Sequence, residues 1–225
     1  MRKFSFQTVL VSDRPLTLAG MKSIAGASGA IDLVGVYSNT DELIACLGRN
    51  SCDVALIDYT MRGNGKMGGL TLLGYLRRTF PKIAIVVLVT HGNPVITRSI
   101  LAQGAASVVS KFDDVRHILT AIYSSCGGGR YLSPTIKHAL DRAKSDKGRR
   151  ESKLSPREIE VIRLYLSGLS INMIAARLSK GKQTVSAQKT NAMKKLGVKN
   201  DVELVWCATS LDLVDDSIVD GFEIP

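Results

Sequence analysis

No apolar run in this chain approaches the ~20 residues needed to span a bilayer, so its 45% hydrophobic content is available for buried cores. The opening stretch, MRKFSFQTVLVSDRP, has two basic residues, Arg2 and Lys3, ahead of a short apolar segment that Asp13 and Arg14 follow. It lacks a small-residue cleavage site and reads as a first strand, not a secretion signal. Cys46, Cys52, Cys126 and Cys207 show no CxxC spacing, and no histidine lies near enough to suggest a zinc site. They are expected to be free thiols in a reducing cytosol. His91, His117 and His138 are scattered. With no Ser/His/Asp set, Gly-rich phosphate loop or metal-ligand cluster, an enzyme is not expected. Internal repeats and long low-complexity tracts are also missing.

What is present is length for two domains and an excess of positive charge: 225 residues with a net charge of +10. The charge is uneven. Residues 126–150 hold seven Lys/Arg against two Asp/Glu, and residues 151–205 hold ten against five. The last twenty residues hold five acids and no base. A polyanionic partner for the basic stretch is the natural physical reading.

Over the first ~125 residues, β-rich runs alternate with helix-period segments. The runs are TVLVS (8–12), DLVGVY (32–37), VALID (54–58), AIVVLV (84–89) and SVVS (107–110). Near-continuous Val, Ile and Leu suits parallel strands covered on both faces. Helices are expected from Pro15 to about Ser28, from the capping-box-like Asn39-Thr40-Asp41-Glu42 to near Arg49, and over 69–79, 93–103 and 113–125. This order implies a doubly wound, flavodoxin-like, five-stranded parallel sheet over residues 1–126. Gly127-Gly128-Gly129 breaks the pattern, and residues 127–152 read as a linker containing a helix capped by Ser133-Pro134.

Residues 153–211 read as an all-α domain of four helices, followed by an acidic tail over 212–225. Ser155-Pro156-Arg157-Glu158 is a strong helix start. Later helices begin at Ser170, run over 183–196, and run from Asp201 to about Leu211. A short helix, the turn Ser179-Lys180-Gly181 and a further helix form a helix-turn-helix pattern. In QTVSAQKTNAMKKL, Val185, Ala192, Met193 and Leu196 can face the core. Thr184, Ser186, Gln188, Lys189 and Asn191 are then expected on the outer face, with chemistry suited to base edges. Lys180, Lys182, Lys194, Lys195 and Lys199 flank them and suit phosphate contacts. On periodicity alone, one exposed amphipathic helix of a generic bundle fits the same residues.

The segment from Leu154-Ser155-Pro156-Arg157-Glu158 to Lys195-Leu196-Gly197-Val198 resembles the LuxR-type DNA-binding domain of NarL/FixJ-class response regulators. Within that class, Ser186-Ala187-Gln188-Lys189 and Gly197-Val198-Lys199-Asn200-Asp201 are most similar to the enterobacterial capsule-synthesis regulators. The resemblance implies a cytoplasmic transcription regulator that binds double-stranded DNA as a homodimer, with the last helix at the dimer contact.

The N-terminal domain is similar to the receiver of the same class. That likeness assigns the phosphoacceptor to Asp58 and a phosphoryl-binding role to Lys111, with Ser12, Asp13, Thr60 and Val89 in the same pocket. Asp13 and Asp58 are the two candidate Mg²⁺ ligands. Three positions depart from the class. Ser12-Asp13-Arg14-Pro15 stands where two adjacent acids and His-Pro are usual, Val89 stands at the switch hydroxyl with Thr90 next to it, and Arg62 replaces a Pro. The reduced set implies weak Mg²⁺ binding and no required cofactor. The leading expectation is a degenerate receiver that works largely without phosphorylation. A conventional phospho-switch with a sensor kinase, and an auxiliary protein that heterodimerises with another response regulator, are the alternatives.

Overall fold

Strands and helices alternate from Phe6 to Ser145 in the computed structural model, which describes residues 5–49, 51–61, 67–145, 153–211 and 213. The expected Arg62, the middle of the linker (146–152) and almost all of the acidic tail lie outside these residues. Two compact units form, one ending at Ala143 and the other starting at Lys144.

In the first unit, β1 (Phe6–Val11), α1 (Pro15–Ser28), β2 (Ile31–Tyr37), α2 (Thr40–Leu47), β3 (Val54–Asp58) and α3 (Gly69–Thr79) are followed by β4 (Ala84–Val89), α4 (Pro94–Ala102), β5 (Ser107–Ser110) and α5 (Arg116–Cys126). All strand pairings are parallel. β3 and β5 are buried along their whole length, as continuous apolar runs require when helices cover both faces. Leu10, Leu56, Val86, Leu88 and Val109 carry the core on one side, against Met21 of α1 and Ala121 and Ile122 of α5. Asn39 caps α2 by accepting from the Glu42 N–H (2.9 Å), and Asn93 caps α4 through Val95 and Ile96.

The sheet has six strands, not the expected five, in the order β2-β1-β3-β4-β5-β6. The added strand is β6 (Tyr131–Leu132), which pairs with Ser107 and Val108. Two residues are too short to show a period, and the glycine triplet just before them reads as a break. Hydroxyls hold the strand in place. Ser107 Oγ accepts from the Tyr131 N–H (3.1 Å), and Ser133 Oγ accepts from the Ser110 N–H (2.9 Å).

The expected linker helix is α6 (Pro134–Ser145). Most of it falls in the first unit, where Ile136 is fully buried and Leu140 nearly so. Asp113, on the loop after β5, accepts from the Thr135 N–H and hydroxyl (3.1 and 2.6 Å), so a distant residue caps this helix.

The second unit contains α7 (Pro156–Leu166), α8 (Ile171–Arg177), α9 (Lys182–Leu196) and α10 (Asp201–Ser210). Ser155 and Glu158 make both bonds of a capping box. Val161, Ile174, Ala175 and Val185 form its core with Tyr165 packed alongside. Between α8 and α9, Ser179 takes the left-handed conformation (φ 51°) while Gly181 does not (φ −68°). α9 ends at Gly197, which does need φ 68°. All four cysteines are free, and burial pushes the Cys207 thiol up to about 12.

Because α6 is part of the first unit, Ile136→Ala should cost that unit about 2–5 kcal/mol. Trp206 is the only tryptophan and lies on α10. The far-UV dichroism transition should therefore fall in temperature while the Trp206 fluorescence transition stays in place.

Candidate phosphoacceptor pocket and nucleic-acid interface

Parallel strands bring their carboxyl ends to one edge, and chemistry in open α/β sheets collects there. Asp58 ends β3 and is 1% exposed. Its Oδ2 accepts from Ser12 Oγ (2.7 Å) and from Lys111 Nζ (2.5 Å). Its Oδ1 accepts from the Thr60 N–H (3.1 Å) and the Thr60 hydroxyl (2.7 Å). A carboxylate offers about four lone-pair positions, and here four donors fill them. Burial alone would raise the Asp58 pKa. The Lys111 ammonium, Ser12 and Thr60 outweigh it and hold the carboxyl below the usual range.

The pocket thus unites Ser12, Asp58, Thr60 and Lys111. Asp13 is half-buried beside Ser12, and Arg14 is exposed. Val89 is buried and has no hydroxyl to offer; the Thr90 hydroxyl is enclosed and has no hydrogen-bond partner. Mg²⁺ needs about six oxygens and usually one or two free carboxylates. Asp58 has no acceptor position left, and no group of three His, Cys, Asp or Glu gathers among the described residues. These residues do not fit the ion well.

On α9 the buried stripe is Val185, Ala192 and Leu196. The opposite face is an open strip lined by Lys182, Gln183, Ser186, Ala187, Thr190, Asn191 and Lys194. Of the ten residues expected to meet DNA, Lys182, Thr184, Ser186, Asn191, Lys194 and Lys199 are exposed. The other four turn inward. The Lys180 Nζ and the Gln188 Oε1 are enclosed without a hydrogen-bond partner. Lys189 pairs with Asp201 (2.6 Å), and Lys195 pairs with Glu158 (2.8 Å) and the Lys153 carbonyl (3.3 Å).

The helical period carried a signal for this difference. Lys189 is i+4 from Val185 and i−3 from Ala192, which places it on the core stripe. The same count puts Gln183, Ala187, Thr190 and Lys194 at the centre of the outer face. Gln183 and Thr190 were missed because residue chemistry was weighed ahead of phase.

Lys111→Met should destabilise the first unit by roughly 2–4 kcal/mol, since it strands a buried carboxylate although Lys111 keeps some solvent contact. The pH dependence has a definite sign. A depressed folded-state pKa means that Asp58 contributes stability above the unfolded carboxyl value of about 3.9, which is lost as pH falls through the folded value. Denaturant melts from pH 6 downward should show a shallower acid limb in Asp58→Asn than in the unaltered chain.

Two family models cover the chain. The response regulator receiver domain matches residues 8–123, and the luxR family of bacterial regulatory proteins matches residues 152–208. Transcriptional regulatory protein RcsB of Escherichia coli strain K12 is 29% identical over 209 residues, spanning 93% of this chain and 96% of that protein. Response regulator UvrY of the same strain is 28% identical over 203 residues, spanning 89% and 92%. RcsB of Salmonella enterica serovar Typhimurium, solved on promoter P1flhDC with phosphomimetic BeF3-, superposes with a TM-score of 0.80 at 28% identity, covering 92% of this chain and 99% of that one. A structure of two RcsB dimers bound to two parallel DNAs gives 0.78 at the same identity and coverage. The chain belongs to the response regulators, with a receiver domain followed by a luxR-family domain of bacterial regulatory proteins.

Proposed function

We propose that this protein is a dimeric, sequence-specific DNA-binding transcription regulator whose receiver operates without phosphorylation of Asp58. It acts in the cytoplasm, on double-stranded DNA. No described helix is long and apolar enough to cross a membrane. One similar structure holds two RcsB dimers bound to two parallel DNAs, and α9 offers the element such a protein lays in the major groove. Gln183, Ser186, Thr190 and Asn191 can supply donors and acceptors for base edges, and Lys182 and Lys194 on the same strip suit phosphate contacts.

The observation that carries the regulatory half is the filled acceptor shell of Asp58. A phosphoryl group would have to displace the Lys111 ammonium and a hydroxyl from a balanced site. With Val89 at the end of β4, that position offers no hydroxyl to follow a new phosphoryl oxygen. A modification that gains no differential contact between two states shifts neither. The unmodified protein is therefore the active one.

Incubation with a small phosphodonor and Mg²⁺ should leave mass, dimer fraction and operator affinity unchanged. Full modification at Asp58 with a tenfold or larger gain in affinity, about 1.4 kcal/mol, would restore a conventional phospho-switch. Operator binding that appears only with a second response regulator present would favour the auxiliary role instead. Asn191→Ala should weaken operator binding by about 1–3 kcal/mol, and Lys194→Ala should reduce the slope of log K against log[salt] by about 1. Gel shifts across a salt series read both.

A further inference from the structure

Lys189 sits mid-way along the helix that would read DNA, yet its side chain is only 16% exposed. Its Nζ lies 2.6 Å from Asp201 Oδ1 and 3.6 Å from the centre of the Tyr165 ring. The Tyr165 hydroxyl donates to Asp201 Oδ2 (2.8 Å). These three residues come from α7, α9 and α10. Asp201 is the first residue of α10, where a negative charge also suits the helix dipole.

The packing around α9 gives this cluster work to do. The fully buried stripe of α9 is thin, with Val185 and Leu196 separated by the small Ala192. An alanine contributes little to fixing rotation about a helix axis. Lys189 falls in the gap between Val185 and Ala192, where an apolar residue would otherwise pack. A charged pair crossed by an aromatic face is directional, whereas apolar contact is not.

We propose that Tyr165, Asp201 and Lys189 form a clamp that fixes the rotation of α9 against α7 and α10. Lys189 is a positioning residue for DNA recognition and does not itself touch DNA. The inference rests on the reading of α9 as the recognition helix. Burial would lower the Lys189 pKa, but Asp201 and Tyr165 reverse that, so the ammonium stays charged in the clamp. The exposed strip from Gln183 to Lys194 then meets a groove at one set angle, and a small rotation would misalign every contact together.

The rival arrangement is a lysine held by Asp201 until DNA draws it out, and the two differ in sign. The full-length chain is assayed on a duplex selected from random sequence, with Lys189→Met, Lys189→Arg, Asp201→Asn, Lys189→Met/Asp201→Asn and Asn191→Ala. The clamp predicts that Lys189→Met and Asp201→Asn each weaken binding at least about fivefold and that the double variant is no worse than the poorer single one. Lys189→Arg should retain binding, and the salt slope should not change. Tighter binding by Asp201→Asn, or a slope reduced by about 1 in Lys189→Met, would overturn the proposal and make Lys189 a DNA contact. Trp206 fluorescence shows that each variant is folded. If the unaltered chain selects no duplex, or Asn191→Ala binds as well as it does, the reading of α9 fails. Loss of affinity in Asn191→Ala with none in Lys189→Met overturns the clamp alone.

Discussion

Asp58 is a buried carboxylate with donors converging on it from the ends of three strands. Ser12 follows β1, Thr60 follows β3 and Lys111 follows β5. Burying a charge costs several kcal/mol unless it is matched, so the register of these strands and the chemistry of their ends constrain each other. β1 and β3 are paired directly, and β5 reaches them across β4. A slip of one residue in any of these strands would carry a donor to the opposite face and leave the charge unmatched. The specificity of the sheet and the electrostatics of the pocket are therefore one property seen from two sides.

Much of this was legible in the residues. Strands made of unbroken Val and Ile declared themselves, and β3 to β5 were found to the residue. Ser155-Pro156 and Asn39 announced helix starts through capping chemistry that depends on near neighbours alone. Apart from the phase of α9, what escaped depends on residues far apart in the chain. β6 exists because Ser107 and Ser133 hold it, and neither bond leaves a local pattern. The filling of Asp58 by Ser12 and Lys111 joins residues separated by 46 and 53 positions. Membership of the pocket could be named in advance, but its saturation could not.

The basic residues of the second unit divide into two populations that composition cannot separate. Lys182 and Lys194 are exposed on the open side of α9. Lys189 and Lys195 are spent on Asp201 and Glu158 inside the unit. Glu158 is thereby both the acid of a capping box and the partner of α9, so the start of α7 and the end of α9 stabilise one another. Net charge overstates the cations that a polyanion could meet.

The position of β6 and α6 bears on where this protein can be divided. A fragment ending at Cys126 would leave Ser107 and Val108 of β5 without their outer partners and the Ser110 amide without the Ser133 hydroxyl. β5 would become an exposed sheet edge, of the kind through which separate molecules zip together. In the intact chain the edge is a two-residue strand, too short to template another. For expression, isotopic labelling or crystallisation of the first unit alone, the cut belongs beyond α6, and one placed by the span of strands and helices up to α5 would manufacture an aggregate.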